Sequence, residues 1–165
     1  MRKLCCLIAV LSLLIACKNN TDTTEEIQDQ ELAFNYQKMP KRLDLDAKVT
    51  ELVEDWVEFK TLTSSFDVLY KAKNNEDLIL AIDDLIEKEK LLEASTYPGI
   101  LDDLQIKSRQ RVLKTYFLKV KASILNNQDA TDATVEMLNA YNTFRKQFNV
   151  VVNSQLNEKL ILDEE

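Results

Sequence analysis

The chain has 165 residues, a formal net charge of −7, one glycine and no histidine. Without histidine it cannot form a Ser-His-Asp or Cys-His nucleophilic site, a histidine-liganded metal centre or the Glu-x-x-His di-iron site of helical bundles, and a single glycine excludes a glycine-rich phosphate loop. The acidic balance argues against nucleic acid as a partner, so we expect a non-enzymatic protein without metal or cofactor.

The N-terminus has the layout of a secretory signal, because Arg2 and Lys3 precede the apolar residues 4–16. This run is shorter than the roughly 20 apolar residues that span a bilayer. It ends in the tetrapeptide Leu14-Ile15-Ala16-Cys17, which resembles the lipobox of bacterial lipoproteins. The alternative interpretation is an unprocessed apolar N-terminus with free thiols.

The lipoprotein resemblance implies that residues 1–16 are a signal peptide and that Cys17 becomes the first mature residue, with acyl chains on its thiol and amine. It also implies anchoring to the bacterial cell envelope. Lys18, rather than an aspartate, follows the cysteine, and this resembles the pattern of outer-membrane sorting in Gram-negative lipoproteins. The body resembles small helical lipoproteins of unknown function, so no activity is implied.

Residues 17–42 are predicted to form the lipidated cysteine and a polar tether, because they lack a sustained hydrophobic period. Phe34 and Tyr36 interrupt this polarity. They either dock on the folded body as a short arm, which we favour, or form a linear motif for a partner.

The first predicted helix begins near Asp44 or Asp46, either of which can accept hydrogen bonds from the first turn. An unbroken heptad seam then predicts one continuous helix, through Leu45, Val49, Leu52, Trp56, Phe59, Thr63, Phe66 and Tyr70. Four leucines fall outside the predicted buried seams and are expected to face outward, as candidates for an interaction patch: Leu62, Leu69, Leu118 and Leu125.

Three further helices follow. The second is predicted to begin after residues 73–75 and to end near Ser95, before the turn at Gly99. The third covers about residues 100–125, and the fourth is capped by Asp129 or Thr131. Amphipathic helices joined by short turns predict an all-α fold, namely an up-down-up-down antiparallel four-helix bundle over residues 43–162.

Charged residues on the inner faces predict a buried polar layer. Folding the second and third helices about Gly99 places Glu89 opposite Arg109, and folding the third and fourth about Gln128 brings Arg145 to a similar height. Asn142 and Asn149 border this layer. A structural layer would fix helix register, which is the interpretation that we favour. The functional interpretation is a net positive pocket for a carboxylate or phosphate.

These observations lead to two functional hypotheses. The first is a lipid-anchored interaction module that holds or recruits an unknown envelope protein, through a helix face or through the arm around Phe34 and Tyr36. The second is a binder of a small anion or another small ligand, which would use the layer of Glu89 and the arginines.

Overall fold

The structure is a computed structural model that describes the backbone of residues 31–162 and the side chains of residues 31–155. The predicted signal peptide, Cys17 and the start of the predicted tether lie outside the described residues. The described part contains five α-helices and no strand, which confirms the all-α bundle. The helices are α1 Ala47–Leu52, α2 Val57–Leu69, α3 Asn75–Ala94, α4 Leu104–Leu125 and α5 Thr131–Leu162, with 3₁₀ turns at Tyr36–Lys38 and Gly99–Leu101.

Local capping explains where the long helices begin. The Asn74 side chain accepts a hydrogen bond from the Asp77 amide at 2.7 Å at the start of α3. Asp103 accepts from the Gln105 amide at 2.7 Å at the start of α4. These side chains satisfy amides that have no partner within the first turn of a helix. The predicted start of the third helix at residue 100 is four residues early, because a 3₁₀ turn precedes α4.

The first predicted helix is divided into α1 and α2 by a turn at residues 53–56. Trp56 causes this division, because its ring is buried and its Nε1 donates to Ser95 Oγ at 2.9 Å. The ring also lies 4.7 Å from Tyr97 and 6.2 Å from Phe148, measured between centroids. The prediction of one continuous helix is therefore wrong, and the reason is a contact between segments that are distant in sequence.

Two of the four leucines that were expected to face outward are fully buried. Leu62 and Leu69 both have 0% exposure, whereas Leu118 and Leu125 are exposed as predicted. The error arises because α2 is covered on two sides, by α3 and by α5. Its buried face is consequently wider than a single heptad seam.

Aromatic rings close the bundle between its first and last long helices. Consecutive long helices pack against each other, from α2 to α5. On the remaining side, Phe66 of α2 stacks on Tyr141 of α5 with 3.6 Å between centroids, and Phe59 lies 5.2 Å from Phe148. The Tyr141 hydroxyl also donates to Thr63 Oγ1 at 3.3 Å. The short connections and this closure give the predicted up-down-up-down arrangement.

Candidate functional site

Residues 31–46, here called the arm, pack on the bundle. The Leu32 amide donates to the Lys73 carbonyl at 3.0 Å. The rings of Phe34 and Tyr36 meet edge to face at 5.2 Å, and Tyr36 meets Tyr70 in the same way at 5.5 Å. The arm is therefore docked, as the favoured interpretation expects, and the packed body begins well before residue 43. Residues 31–42 are not a loose tether.

The docking of the arm buries a polar group of Tyr36. The Tyr36 hydroxyl is buried without a hydrogen-bond partner among the described residues. Burial, with a smaller effect of the neighbouring Tyr70, raises the pKa of Tyr36. An unsatisfied buried hydroxyl costs about 1–3 kcal/mol, so this part of the arm is held less tightly than its ring contacts alone would suggest.

The segment 41–46 of the arm is held through its main chain by Asn142 of α5. The Leu43 amide donates to Asn142 Oδ1 at 2.8 Å, and Asn142 Nδ2 donates to the Lys41 carbonyl at 2.8 Å. One side-chain amide thus satisfies a donor and an acceptor two residues apart, as a neighbouring β-strand would do.

Asn149 repeats this contact two helical turns later. The Asp46 amide donates to Asn149 Oδ1 at 3.0 Å, and Asn149 Nδ2 donates to the Asp44 carbonyl at 3.5 Å. Seven residues of α-helix rise by about 10.5 Å, and three residues of extended chain cover about 10 Å. The seven-residue spacing of the asparagines therefore matches a three-residue period in the arm.

Arg145 lies between the two asparagines and completes what we call the main-chain ladder, Asn142, Arg145 and Asn149. Its Nε donates to the Leu43 carbonyl at 2.6 Å, and its Nη1 donates to the Tyr141 hydroxyl at 3.3 Å. The guanidinium carbon lies 5.9 Å from the Phe59 ring and 5.5 Å from the Tyr141 ring. Neutral oxygens and aromatic faces thus surround this 6% exposed cation.

Glu89 belongs to a different cluster, between α3 and α4. Its side chain is fully buried, and Gln110 Nε2 donates to its Oε1 at 3.1 Å. The Lys114 ammonium lies 3.2 Å from Oε2 and also pairs with Glu93 at 2.6 Å. The Tyr97 hydroxyl donates to Gln110 Oε1. Burial raises the pKa of Glu89, and the hydrogen bonds from Gln110 and Lys114 oppose this shift.

The predicted single polar layer is wrong. Arg109 is exposed and lines a shallow groove of about 250 Å³ between α4 and α5, while Gln110 holds the inward position that was assigned to Arg109. The 3₁₀ turn before α4 changes the phase of this helix relative to Gly99, and one residue corresponds to about 100° on a helix. The inward position of Gln110 was visible in the sequence, since it lies in the spacing of the buried residues Ile106, Gln110, Leu113, Phe117, Val120 and Ile124.

Glu89 and Arg145 therefore belong to two separate clusters. The cluster of Glu89 lies between α3 and α4, and that of Arg145 lies between the arm and α5. Asn142 and Asn149 join Arg145 only. No described contact brings an arginine to Glu89. The net positive pocket that the small-ligand hypothesis requires is therefore not formed by these residues.

No protein-family model, curated protein or solved structure matches this chain. Within the part that the structure describes, no cluster of three or more potential ligating side chains could hold a metal ion. None of the described helices is long and apolar enough to cross a membrane.

The ladder predicts the effect of Asn142→Ala. This substitution removes both hydrogen bonds to the arm, so the free energy of opening at the Leu43 amide should fall by about 1–3 kcal/mol, measured by native-state hydrogen exchange. Asn139→Ala is the matched control, because Asn139 is an exposed asparagine one turn earlier on α5. Equal protection of Leu43 in the two variants would contradict the ladder.

Glu89→Gln should change the pH dependence of stability. Because the folded pKa of Glu89 is raised, the protonated side chain contributes stability that is complete below the ordinary glutamate pKa of about 4.3 and is lost as the pH rises through the raised value. Glutamine keeps an acceptor for Gln110 and carries no charge. Urea titrations should show the variant to be more stable than the wild type near neutral pH, with a difference that shrinks in acid.

The control for this titration is Glu93→Gln, which removes an exposed carboxylate that also pairs with Lys114. This variant keeps the buried Glu89 carboxylate, so the stabilisation near neutral pH that is expected of Glu89→Gln should be absent from it. If Glu89→Gln follows the wild-type pH profile throughout, the burial of Glu89 does not govern its ionisation.

Proposed function

We propose that this protein is a bacterial lipoprotein of the cell envelope, anchored through acyl chains on Cys17, and that its helical body is a non-enzymatic protein-interaction module. The observation that carries the anchor is the tetrapeptide Leu14-Ile15-Ala16-Cys17 after a basic start and an apolar run. The pattern at Lys18 supports the outer membrane as the location.

Physical chemistry supports stable anchoring by this residue. Each buried methylene of an acyl chain contributes about 0.8 kcal/mol, and two or more chains hold a protein far better than one. Arg2 and Lys3 are the only charged residues among residues 1–16, so cleavage leaves a body more acidic than the whole chain. Such a body does not bind anionic lipid head groups by charge, and the anchor is its membrane contact.

The docked arm limits how far the body stands from the membrane. Because the arm is packed from residue 31 onward, the polar residues 18–30 connect the anchor to the body. Thirteen residues reach at most about 45 Å when fully extended, so the body lies within that distance of the anchor. A module held at this distance is suited to partners that are themselves in or on the envelope.

Exposed apolar side chains on the body support the interaction role. Val68 of α2 and Leu80 of α3 are 56% and 64% exposed and line a groove of about 370 Å³, with Ala72 and Ala81 beside them. Lys71, Asp77 and Asp84 complete its lining, and a concave surface that combines apolar and charged side chains is typical of a site for a partner's side chain. Leu118 and Leu125 add exposed apolar surface on α4.

The anchor predicts the effect of Cys17→Ser. The variant should lose metabolic labelling with palmitate and move from the membrane fraction to the soluble or secreted fraction, because the acylated thiol is absent. Cys6→Ser is the matched control, since Cys6 lies in the predicted signal peptide. Continued labelling and membrane retention of the Cys17 variant would contradict the proposed anchor.

The groove predicts the effect of Leu80→Glu on crosslinking in intact envelopes. If the groove contacts a partner, a charge at this position should abolish a crosslinked species that forms with the wild type. Leu91→Glu is the matched control, because Leu91 is a 52% exposed leucine three turns further along α3. A crosslinking pattern unchanged by Leu80→Glu would exclude the groove as the contact surface.

A further inference from the structure

The turn between α1 and α2 has a sequence that suits a helix. Val53, Glu54, Asp55 and Trp56 include neither glycine nor proline. Among the described residues, positive φ angles occur only at Gly99 and Asn127, so this turn needs no left-handed residue. The Val53 amide donates to the Val49 carbonyl at 3.0 Å, as it would in a continuous helix. The heptad seam also continues through the turn, so a straight α1–α2 helix is compatible with the local sequence.

The arm and α1 lie on one side of this turn, and their docking site lies on the other. Lys41 to Asp46 bind the main-chain ladder of α5, Arg42 pairs with Asp67 of α2 at 2.7 Å, and the Tyr70 hydroxyl donates to the Pro40 carbonyl at 3.5 Å. In each of these contacts the partner of the arm lies after residue 56 in the chain. Straightening the turn would therefore separate the unit 31–52 from its site and would leave the arm and the surface that it binds intact. The contacts of Trp56 with Ser95 and Tyr97 oppose this straightening.

We propose that two copies of this chain exchange the unit 31–52. The turn at residues 53–56 straightens into one helix, and the arm and α1 of each copy occupy the main-chain ladder of the other. Exchange of an identical element between protomers is a low-cost route to a dimer, because the same contacts form again between the copies. The main-chain ladder is then an interaction site whose partner is a second copy. This inference requires neither the anchor at Cys17 nor another envelope protein.

A second copy is the occupant that satisfies the whole site. On the arm, the hydrogen bonds of the ladder reach only main-chain atoms and would accept many extended peptides. The side chains around it are more selective, because Met39 is buried, Leu45 is half-buried against the core and Arg42 faces a carboxylate. An identical segment meets all of these requirements together with the ladder.

Disulfide trapping between two full-length copies tests the exchange. Asn153 Nδ2 lies 2.9 Å from Asp46 Oδ2, so these positions are adjacent only when the arm is docked. One copy carries Asp46→Cys and the other Asn153→Cys. The copies are equilibrated together in mild detergent and oxidised, and the linked peptides are identified by mass spectrometry. A disulfide between the two introduced cysteines can then form only between copies.

The controls define each outcome. Replacing the second substitution by Asn139→Cys, at an exposed position on the same helix, gives the background of random collision. A single chain with both Asp46→Cys and Asn153→Cys should link internally. Linking between copies above the collision background supports exchange. Linking only within the doubly substituted chain overturns it, and so does the absence of linking in that chain, because the arm would then not sit on α5.

Asp55 provides an independent test of the turn. This residue is exposed, so Asp55→Ala and Asp55→Gly differ mainly in helix propensity. Since an exchanged dimer contains two straightened turns, its dissociation constant should be about thirty-fold lower with alanine than with glycine, measured by analytical ultracentrifugation of the full chain. Equal dissociation constants, or monomers in both cases, would overturn the proposal.

Discussion

The pairing of Asn142 and Asn149 with the main chain of residues 41–46 is the interaction on which the rest of the structure depends. Seven residues of helix and three residues of extended chain have nearly the same length, so two equivalent amide contacts hold the arm in one register. This register leads the chain directly into α1 and delivers Val49 and Trp56 to the core, where both are buried. The arm is therefore a part of the folded body.

The two buried charges are stabilised in different ways. Arg145 has carbonyl and hydroxyl oxygens and two aromatic faces around it. Glu89 has an amide and an ammonium group. Buried ionic groups that are paired in this manner add little net stability, but a wrong packing would leave them unpaired at a high cost. We infer that both clusters select the correct packing of the arm and of α3 against α4.

The position of the arm connects the proposed anchor to the fold. The chain that leaves Cys17 meets the body at residues 31–46 and binds α5 through main-chain contacts, which place few demands on the arm's own side chains. The turn that follows α1 contains no residue that prevents a helix. Under the proposed exchange, an element that is attached in this way docks either on its own chain or on a second copy. The segment nearest the proposed anchor is thus also the one that we propose for contacts between molecules.

The sequence alone determined the features that depend on neighbouring residues. Asn74 at the start of α3, the turn at Gly99 and the helical character of the chain all follow from local capping, backbone conformation and apolar period. The tertiary structure decided the rest. Trp56 breaks the first helix because Ser95 and distant rings receive its side chain, and Gln110 replaces Arg109 because the phase of α4 is set by a 3₁₀ turn and by packing. Asn142 and Asn149 had a suitable spacing in the sequence, but they bind main-chain atoms about a hundred residues away. Because main-chain atoms are the same in almost every residue, the sequence does not indicate where such a partner lies.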